Sequence, residues 1–295
     1  MGWEKYYRPS TAVEAVALLT ENQGEARVLA GGSDLMLQLR ENEMTTNSLV
    51  DLSSVKELQQ ITEEQGWIKI GAMVTHQQIA SSKLVSEKAR VLQQAAQSVG
   101  SPQIRNIATI GGNVVNAQPA ADTTIALLVL DAKVRILTKE GEISKSIDQL
   151  FLGPGKSAVD PAREIVLGFE FRTTGNLETT VFKRHAKRKA LALPIVNLGV
   201  WVKSDETVSK FEDIRIAMGP MAPVPLRITH AEALLKGAPF NVSMIKEAIL
   251  TVESELKPRD SIRGSAFYKR ELAKVLLIRA LIEAVKDLGG EIDRE

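Results

Sequence analysis

Two pairs of adjacent glycines constrain this chain more than any other feature. The first pair follows a short apolar run in the segment Arg27-Val-Leu-Ala-Gly-Gly-Ser-Asp-Leu35. Paired glycines permit backbone dihedrals that side chains forbid, and we expect Ser33 and Asp34 to cap a helix that begins at Leu35. Free N–H groups at such a helix start attract anions. The segment therefore predicts a phosphate site, and an ordinary strand-to-helix turn is the alternative.

The second pair occurs in Ile104-Arg-Asn-Ile-Ala-Thr-Ile-Gly-Gly-Asn113, where an apolar stretch again ends at glycines and a small polar residue. Further along, Asp122 precedes an apolar helical run and is placed to cap it. Two glycine loops present donors from two sides, which suits a diphosphate better than one loop does. We therefore expect one dinucleotide to bridge both segments.

A third glycine-rich stretch, Phe151-Leu-Gly-Pro-Gly-Lys-Ser157, does not have P-loop spacing, because Leu150 stands where the motif requires its first glycine. We interpret this stretch as a structural loop, with a nucleoside-triphosphate site as the alternative. The histidines His76, His185 and His230 show no metal-ligand spacing, and no nucleophile triad is recognisable. The sequence thus predicts no catalytic side chain and no metal site.

Composition excludes several classes of function. The 295-residue chain has no cysteine, so it can hold no disulfide, thiolate-bound metal or iron–sulfur cluster. A net charge of +1 and an aromatic content of 4% do not favour binding of nucleic acid. The basic cluster over residues 183–189 is interpreted as solvated surface, with a phosphate or an acidic partner as alternatives. Because no apolar signal core or membrane-length run is present, we expect a cytoplasmic protein that contacts no membrane.

Apolar periodicity predicts an α+β fold with a boundary near residues 173–176. Before this boundary we expect helices over 11–20, 86–99 and 124–132, and strands over 28–30, 48–51, 67–74, 133–138, 142–146 and 164–171. Beyond it we expect an antiparallel sheet from 180–183, 195–203 and 211–219, and helices over 231–235, 244–256 and 267–288.

Taken together, these motifs resemble those of a known family, the FAD-binding medium subunits of the molybdenum hydroxylases. This is the group of xanthine dehydrogenase, aldehyde oxidoreductase and carbon monoxide dehydrogenase. Ala30–Leu35 resembles the family's first flavin diphosphate loop, and Pro102–Asn106 followed by Ala108–Asn113 resembles the second. Further resemblance lies in Asp122–Ala132, Phe151–Ser157, Gly219–Pro223 and Arg263–Arg270, so that it covers nearly the whole chain.

The resemblance implies a fold and a set of FAD contacts. An FAD-binding domain of the vanillyl-alcohol-oxidase type would occupy residues 1–175, with subdomains of about 1–55 and 56–175. A C-terminal domain of a small antiparallel sheet plus helices would occupy 176–295. The implied FAD contacts are Leu29, Ala30, Gly31, Gly32, Ser33, Asp34, Leu35, Ala108, Thr109, Ile110, Gly111, Gly112, Asn113, Asp122, Val166 and Lys183. Arg184 is the alternative to Lys183. Ala192 stands where the family often has an aspartate, so we expect either that the basic cluster is braced differently near the flavin or that a nicotinamide docks differently.

The resemblance also implies an activity, that of an oxidoreductase subunit for electron transfer within a heterotrimer. A molybdopterin-binding large subunit would oxidise the substrate, an iron–sulfur subunit with two [2Fe–2S] clusters would relay electrons, and FAD on this chain would pass them to a soluble acceptor such as NAD. The absence of cysteine agrees, because such clusters need thiolates from another chain. Two alternatives are a free-standing FAD-dependent reductase of the same fold and a nucleotide-binding module without redox activity.

Overall fold

The computed structural model of the chain describes residues 3–188 and 190–293. Its strands are β1 (Lys5–Tyr7), β2 (Ala26–Leu29), β3 (Ser48–Asp51), β4 (Ile61–Glu64), β5 (Trp67–Gly71), β6 (Lys133–Thr138), β7 (Gly141–Ser146), β8 (Phe151–Gly153), β9 (Lys156–Ser157), β10 (Ile165–Arg172), β11 (Glu178–His185), β12 (Val196–Ser204), β13 (Phe211–Gly219) and β14 (Leu226–Arg227). Its α-helices are α1 (Ala12–Glu21), α2 (Leu35–Arg40), α3 (His76–Ser81), α4 (Lys83–Lys88), α5 (Arg90–Ser98), α6 (Pro102–Ile107), α7 (Ile110–Val115), α8 (Asp122–Val129), α9 (Thr229–Leu235), α10 (Val242–Glu255) and α11 (Ala266–Asp287).

These elements form two compact units, and neither unit is continuous in sequence. The first consists of Met1–Ile79, Gly100–Ala117 and Asp131–Arg172. The second consists of Ala80–Val99, Gln118–Leu130 and Thr173–Glu295. Two helical stretches from the N-terminal half of the chain therefore belong to the same unit as the C-terminal part. The division into domains at residue 175 stays a prediction.

The first unit contains two main sheets. The parallel sheet has the strand order β1-β3-β2, and the antiparallel sheet has the order β4-β5-β10-β6-β7. Helix α1 begins at its N-cap Thr11, whose side chain accepts a hydrogen bond from the N–H of Glu14. Its apolar face contributes Ala15 and Leu19 to a core that also contains Val50 of β3. The predicted α1, β3 and the β6–β7 hairpin are confirmed.

The second unit is an antiparallel sheet of order β11-β12-β13-β14 packed with helices. Its core combines the apolar side chains of β12 and β13 with those of α9, α10 and α11. Helix α8 packs against α5 and against β12 and β13. The predicted antiparallel sheet and the three C-terminal helices are confirmed, as is the α+β class. One prediction is wrong: the helix expected over 86–99 is two helices, which break at Ala89 with φ −155°.

Candidate functional site

The first glycine segment connects β2 to α2, as the sequence predicts. Gly32 has φ +71°, a left-handed conformation that glycine adopts without strain. The predicted side-chain cap is wrong. Asp34 occupies the N-cap position in a helical conformation and forms no capping hydrogen bond. Its carboxylate accepts hydrogen bonds from Asn116 Nδ2 at 3.1 Å and from Ser33 Oγ at 3.0 Å instead.

The backbone of this segment presents unused donors. Among the described residues, the N–H groups of Gly31, Gly32, Ser33 and Asp34 have no hydrogen-bond acceptor. All but Asp34 are half-buried. Successive unpaired amides can bind an anion together, because each half-buried donor needs an acceptor. The segment therefore offers four successive backbone donors to an anion.

The second glycine pair is not a loop after a strand, so that the predicted equivalence of the two segments is wrong. Gly111 and Gly112 lie in the first turn of α7, and Thr109 is the N-cap of this helix. Four successive N–H groups have acceptors inside the first unit: Ile110 donates to Val74 O at 3.0 Å, Gly111 to Ala72 O at 2.9 Å, Gly112 to Thr109 Oγ1 at 3.2 Å and Asn113 to Thr109 O at 3.0 Å. This segment therefore has no free amide among these four N–H groups. What it presents instead is a helix turn whose glycines carry no side chain.

The two glycine segments contact each other within the first unit. A Cβ atom on Gly31 would lie 2.0 Å from the carbonyl oxygen of Ile107 and 2.9 Å from Cα of Ala108. Only glycine allows this approach. A Cβ atom on Gly112 would lie 3.9 Å from Cβ of Ala30, and Gly112 is exposed. Two segments that are far apart in sequence thus form one surface. The free amides of Gly31 to Asp34 lie on one side of it, and the glycine-containing first turn of α7 lies on the other.

Val166 also belongs to the first unit. It lies near the start of β10, is 5% exposed, and pairs with Ile136 of β6. The register of this pairing shifts between Val166 and Gly168. The shift is a local irregularity of the central strand, and such irregularities redirect side chains.

Asp122 belongs to the second unit, and two side chains hold its carboxylate through hydrogen bonds. It is the first residue of α8 and does not cap it, which corrects the sequence prediction. Its carboxylate accepts from Asn197 Nδ2 at 2.6 Å and from Arg184 Nε at 3.1 Å. Burial raises the pKa of Asp122, and the nearby Arg184 and Asn197 oppose that rise. Arg184 also donates to the carbonyl oxygen of Ala192, so a backbone group braces the arginine.

Lys183 and Arg184 lie next to each other on β11 and have different partners. The ammonium group of Lys183 pairs with the Glu283 carboxylate of α11. Glu283 also accepts from Arg90 Nη2 at 3.2 Å. Neighbouring side chains of a strand point to opposite faces, which separates Lys183 from the Asp122 pair. The sequence signals neither Asn197 nor Glu283 as a partner, because both lie far along the chain.

His76 lies beside the second glycine segment and is fully buried, at 0% exposure. The backbone N–H of His76 donates to the carbonyl oxygen of Ala108 at 3.0 Å. Among the described residues, neither ring nitrogen has a hydrogen-bond partner. Burial, with a smaller contribution from the charge of Arg105, lowers the pKa of His76 to about 4. The ring is therefore neutral at physiological pH.

The third glycine-rich stretch forms the β8–β9 hairpin. Gly155 has φ +68°, and its N–H donates to the carbonyl oxygen of Ala117 at 3.0 Å.

Over residues 3–188 and 190–293, no group of three or more histidine, aspartate or glutamate side chains is arranged to hold a metal ion. In the same part of the chain, none of the helices combines the length and the apolar character needed to cross a membrane.

Comparison with known proteins gives matches over almost the full length. Residues 2–171 match the family described as the FAD binding domain in molybdopterin dehydrogenase, and residues 182–284 match the CO dehydrogenase flavoprotein C-terminal domain. The xanthine dehydrogenase FAD-binding subunit of Escherichia coli O157:H7 is 31% identical over 290 residues, which are 97% of this chain and 98% of that protein.

Two further comparisons agree. The nicotinate dehydrogenase FAD-subunit of Eubacterium barkeri is 29% identical over 291 residues, which are 97% of this chain and 97% of that protein. A solved structure of carbon monoxide dehydrogenase from Hydrogenophaga pseudoflava, lacking the Mo-pyranopterin moiety of its cofactor, superimposes with a TM-score of 0.92. That match has 26% identity and covers 98% of each chain.

Proposed function

Because the chain belongs to the family of FAD-binding subunits of molybdopterin dehydrogenases, we propose that it passes electrons from a partner's iron–sulfur clusters through FAD to an acceptor such as NAD. The cofactor of this family of oxidoreductase subunits is FAD, which supplies the electron-transfer chemistry when bound. The proposed partners are an iron–sulfur subunit with two [2Fe–2S] clusters and a molybdopterin-binding large subunit. The cytoplasm is its proposed location.

The absence of cysteine supports this division of labour. Iron–sulfur clusters are held by cysteine thiolates, and this chain has none to give. Clusters that deliver electrons to its FAD must therefore lie on another chain. Several relatives are named as subunits or medium chains, which agrees with a protein that works beside others. The organic substrate would then be selected on the partner that carries molybdopterin.

The proposed FAD contacts comprise Leu29–Leu35, Ala108–Asn113, Asp122, Val166 and Lys183. The single observation that carries the proposal is the row of unpaired amides from Gly31 to Asp34, because four successive donors fit the oxygens of a diphosphate. The segment Ala108–Asn113 contributes differently. Its amides are used inside the protein, so its role is to let the cofactor approach the exposed face of Gly112.

No acid, base or nucleophile of this chain is needed for the proposed reaction. The residues of the chain bind FAD, orient it and set the charge around it. Asp122, with its partners Arg184 and Asn197, and Lys183, with Glu283, supply fixed charges for that purpose. Their contact with FAD is part of the proposal.

Two matched glycine variants test the site. Gly112→Val places a branched side chain on an exposed helical turn where a Cβ meets only ordinary or slightly tight contacts, 3.1 Å from Thr109 Oγ1. Gly153→Val makes the same substitution at a buried glycine of β8, where the atom nearest to an added Cβ is Lys156 Cδ at an ordinary 3.7 Å. We expect Gly112→Val to lose FAD and Gly153→Val to keep it.

The measurement is the visible absorption spectrum of each purified variant, followed by heat release and chromatography of the flavin. Circular dichroism shows whether each variant is folded. A folded Gly112→Val variant with a full FAD complement would contradict the assignment. Loss of nucleotide only in Gly153→Val would favour a site in the hairpin instead. NAD reduction by the assembled complex, compared with reduction of a quinone or a cytochrome, tests the proposed acceptor.

A further inference from the structure

Three residues form a row across the sheet of the second unit, beside the start of helix α8. Arg184 of β11 lies directly opposite Asn197 of β12, and Asn197 lies directly opposite Gly219 of β13. Residues paired in this way lie on the same face of a sheet. The carboxylate of Asp122, at the start of α8, accepts hydrogen bonds from the side chains of Arg184 and Asn197. We call Arg184, Asn197 and Gly219 the cross-strand row.

Asn197 is fully buried, and its hydrogen bonds fix the orientation of its amide. The Nδ2 atom donates to the Asp122 carboxylate at 2.6 Å and to the carbonyl oxygen of Ala120 at 3.3 Å. A reversed amide would place the acceptor Oδ1 against two other acceptors. In the described part of the chain, Oδ1 itself has no hydrogen-bond partner. An apolar side chain would avoid the cost of that unpaired oxygen, whereas only a donor can hold Asp122.

The glycine of the cross-strand row leaves space for this amide. A Cβ atom on Gly219 would lie 2.7 Å from Oδ1 of Asn197 and 2.4 Å from the carbonyl oxygen of Pro119. Both distances are too short for a carbon atom, so a side chain here would displace Asn197 or the residues just before α8. The segment Gly219–Pro223 has no role in the flavin proposal. Its first residue is nevertheless required for the contact between Asn197 and Asp122.

Helix α8 is also fixed at its other end. All eight of its residues are buried. Arg215 Nη1 donates to the carbonyl oxygen of Val129 at 3.3 Å, and Arg227 Nη1 donates to that of Leu128 at 3.4 Å. Positive charge beside the last carbonyl groups of a helix is stabilising. The sheet therefore sets the position of α8 at both helix ends, and with it the position of Asp122.

We propose that Asn197 is a positioning residue for FAD, which holds the Asp122 carboxylate in the orientation that contacts the cofactor, and that Gly219 makes this hold possible. Asn197 binds Oδ1 of the carboxylate and Arg184 binds Oδ2, so the carboxylate is fixed before FAD arrives. A group fixed in this way loses little conformational entropy on binding. The inference rests on the proposed function, because that function supplies FAD and its contact with Asp122.

A double-mutant cycle of Asn197→Val and Asp122→Ala tests the inference. Each full-length chain is freed of flavin and titrated with FAD, and circular dichroism shows whether it is folded. We expect Asn197→Val to weaken FAD binding at least about tenfold in the wild-type background, because a donor to a charged group is lost. In the Asp122→Ala background the same substitution should change the affinity less than about twofold, since no carboxylate is left to hold. A side chain that only filled space would cost the same in both backgrounds.

Two glycine variants give a second test that leaves Asn197 and Asp122 in place. Gly219→Ala pushes directly against the Asn197 amide and should weaken FAD binding at least about fivefold. Its matched control is Gly199→Ala, also beneath α8, where an added Cβ would lie 3.3 Å from Val129 Cγ2 and 3.4 Å from Ile125 O. The control should bind FAD within about twofold of the wild type.

The outcomes separate this inference from the proposed function. Unchanged affinity in Asn197→Val, an equal loss in both backgrounds, or equal losses in the two glycine variants would overturn the inference alone. Unchanged affinity in Asp122→Ala would remove Asp122 from the FAD contacts, and the inference would fall with it. Absence of FAD binding by the wild-type chain would overturn the proposed function as well. If a variant of one test does not fold, the other test still decides.

Discussion

Lowering the pH should destabilise the first unit through one side chain, His76. The folded chain holds this ring neutral because it is fully buried, and its pKa is about 4 against an ordinary value of 6.5. In the unfolded chain the ring is in water and takes up a proton at its ordinary pKa. The unfolded state therefore binds more protons between pH 6.5 and about 4, and stability falls as pH falls through this window.

The magnitude follows from the two pKa values. At about pH 5 an unfolded histidine is almost fully protonated and the folded one is almost fully neutral. The resulting loss relative to about pH 7.5 is about 2 kcal/mol in the free energy of unfolding. The full difference, reached below the folded pKa, is about 3 kcal/mol. Such a loss is a large share of the stability of an ordinary domain.

The test compares wild type with His76→Leu by urea unfolding at both pH values. Tryptophan fluorescence in a Trp201→Phe background follows the first unit, because Trp3 and Trp67 both belong to it. The leucine variant should lose about 2 kcal/mol less than wild type on acidification. Its buried side chain carries no ring nitrogens that lack partners.

Ile79→Val is the control for a change in packing without titration. Ile79 is also fully buried in α3, and its truncation should cost about 1 kcal/mol equally at both pH values. If His76→Leu and wild type show the same acid sensitivity, the reasoning from burial of His76 is refuted.

Two further substitutions test the charged pairs of the second unit. Asp122→Ala removes the carboxylate from a buried pair and leaves Arg184 without a counter-charge, so we expect a loss of about 3–5 kcal/mol in urea unfolding. A loss below about 1 kcal/mol would show that water or relaxation compensates the arginine. Glu283→Gln removes a half-buried carboxylate shared by Lys183 and Arg90 and should cost about 1 kcal/mol or less. That cost should shrink in high salt during thermal unfolding, and a salt-independent cost would contradict an electrostatic origin.

Regular elements with strong local patterns could be predicted from the sequence. The β6–β7 hairpin and strand β13 were within reach, because alternation and turn residues act over neighbouring positions. The break at Ala89 was not, since no glycine or proline marks it. The opposite error occurred at Gly111 and Gly112. Their glycines resemble a loop in sequence, but both residues lie in helix α7.

The partners of the site residues required the tertiary structure. Asn197 contacts Asp122 across 75 positions of sequence, and Glu283 contacts Lys183 across 100. No periodicity or motif relates residues so far apart. The composition of the two units, each assembled from separate stretches, is hidden from sequence patterns for the same reason.

By itself the sequence determined that this chain can hold no iron–sulfur cluster, because that conclusion needs only the absence of thiolates. It also predicted an anion site at the glycine segments, because glycines permit dihedrals that leave backbone N–H groups free near a helix start. Only the tertiary structure decided which amides are available. Those of Gly31 to Asp34 are unpaired in the described residues, whereas those of Ile110 to Asn113 find acceptors on neighbouring backbone. A donor's availability depends on which acceptors folding places within about 3 Å of it, and that is a property of the packed chain.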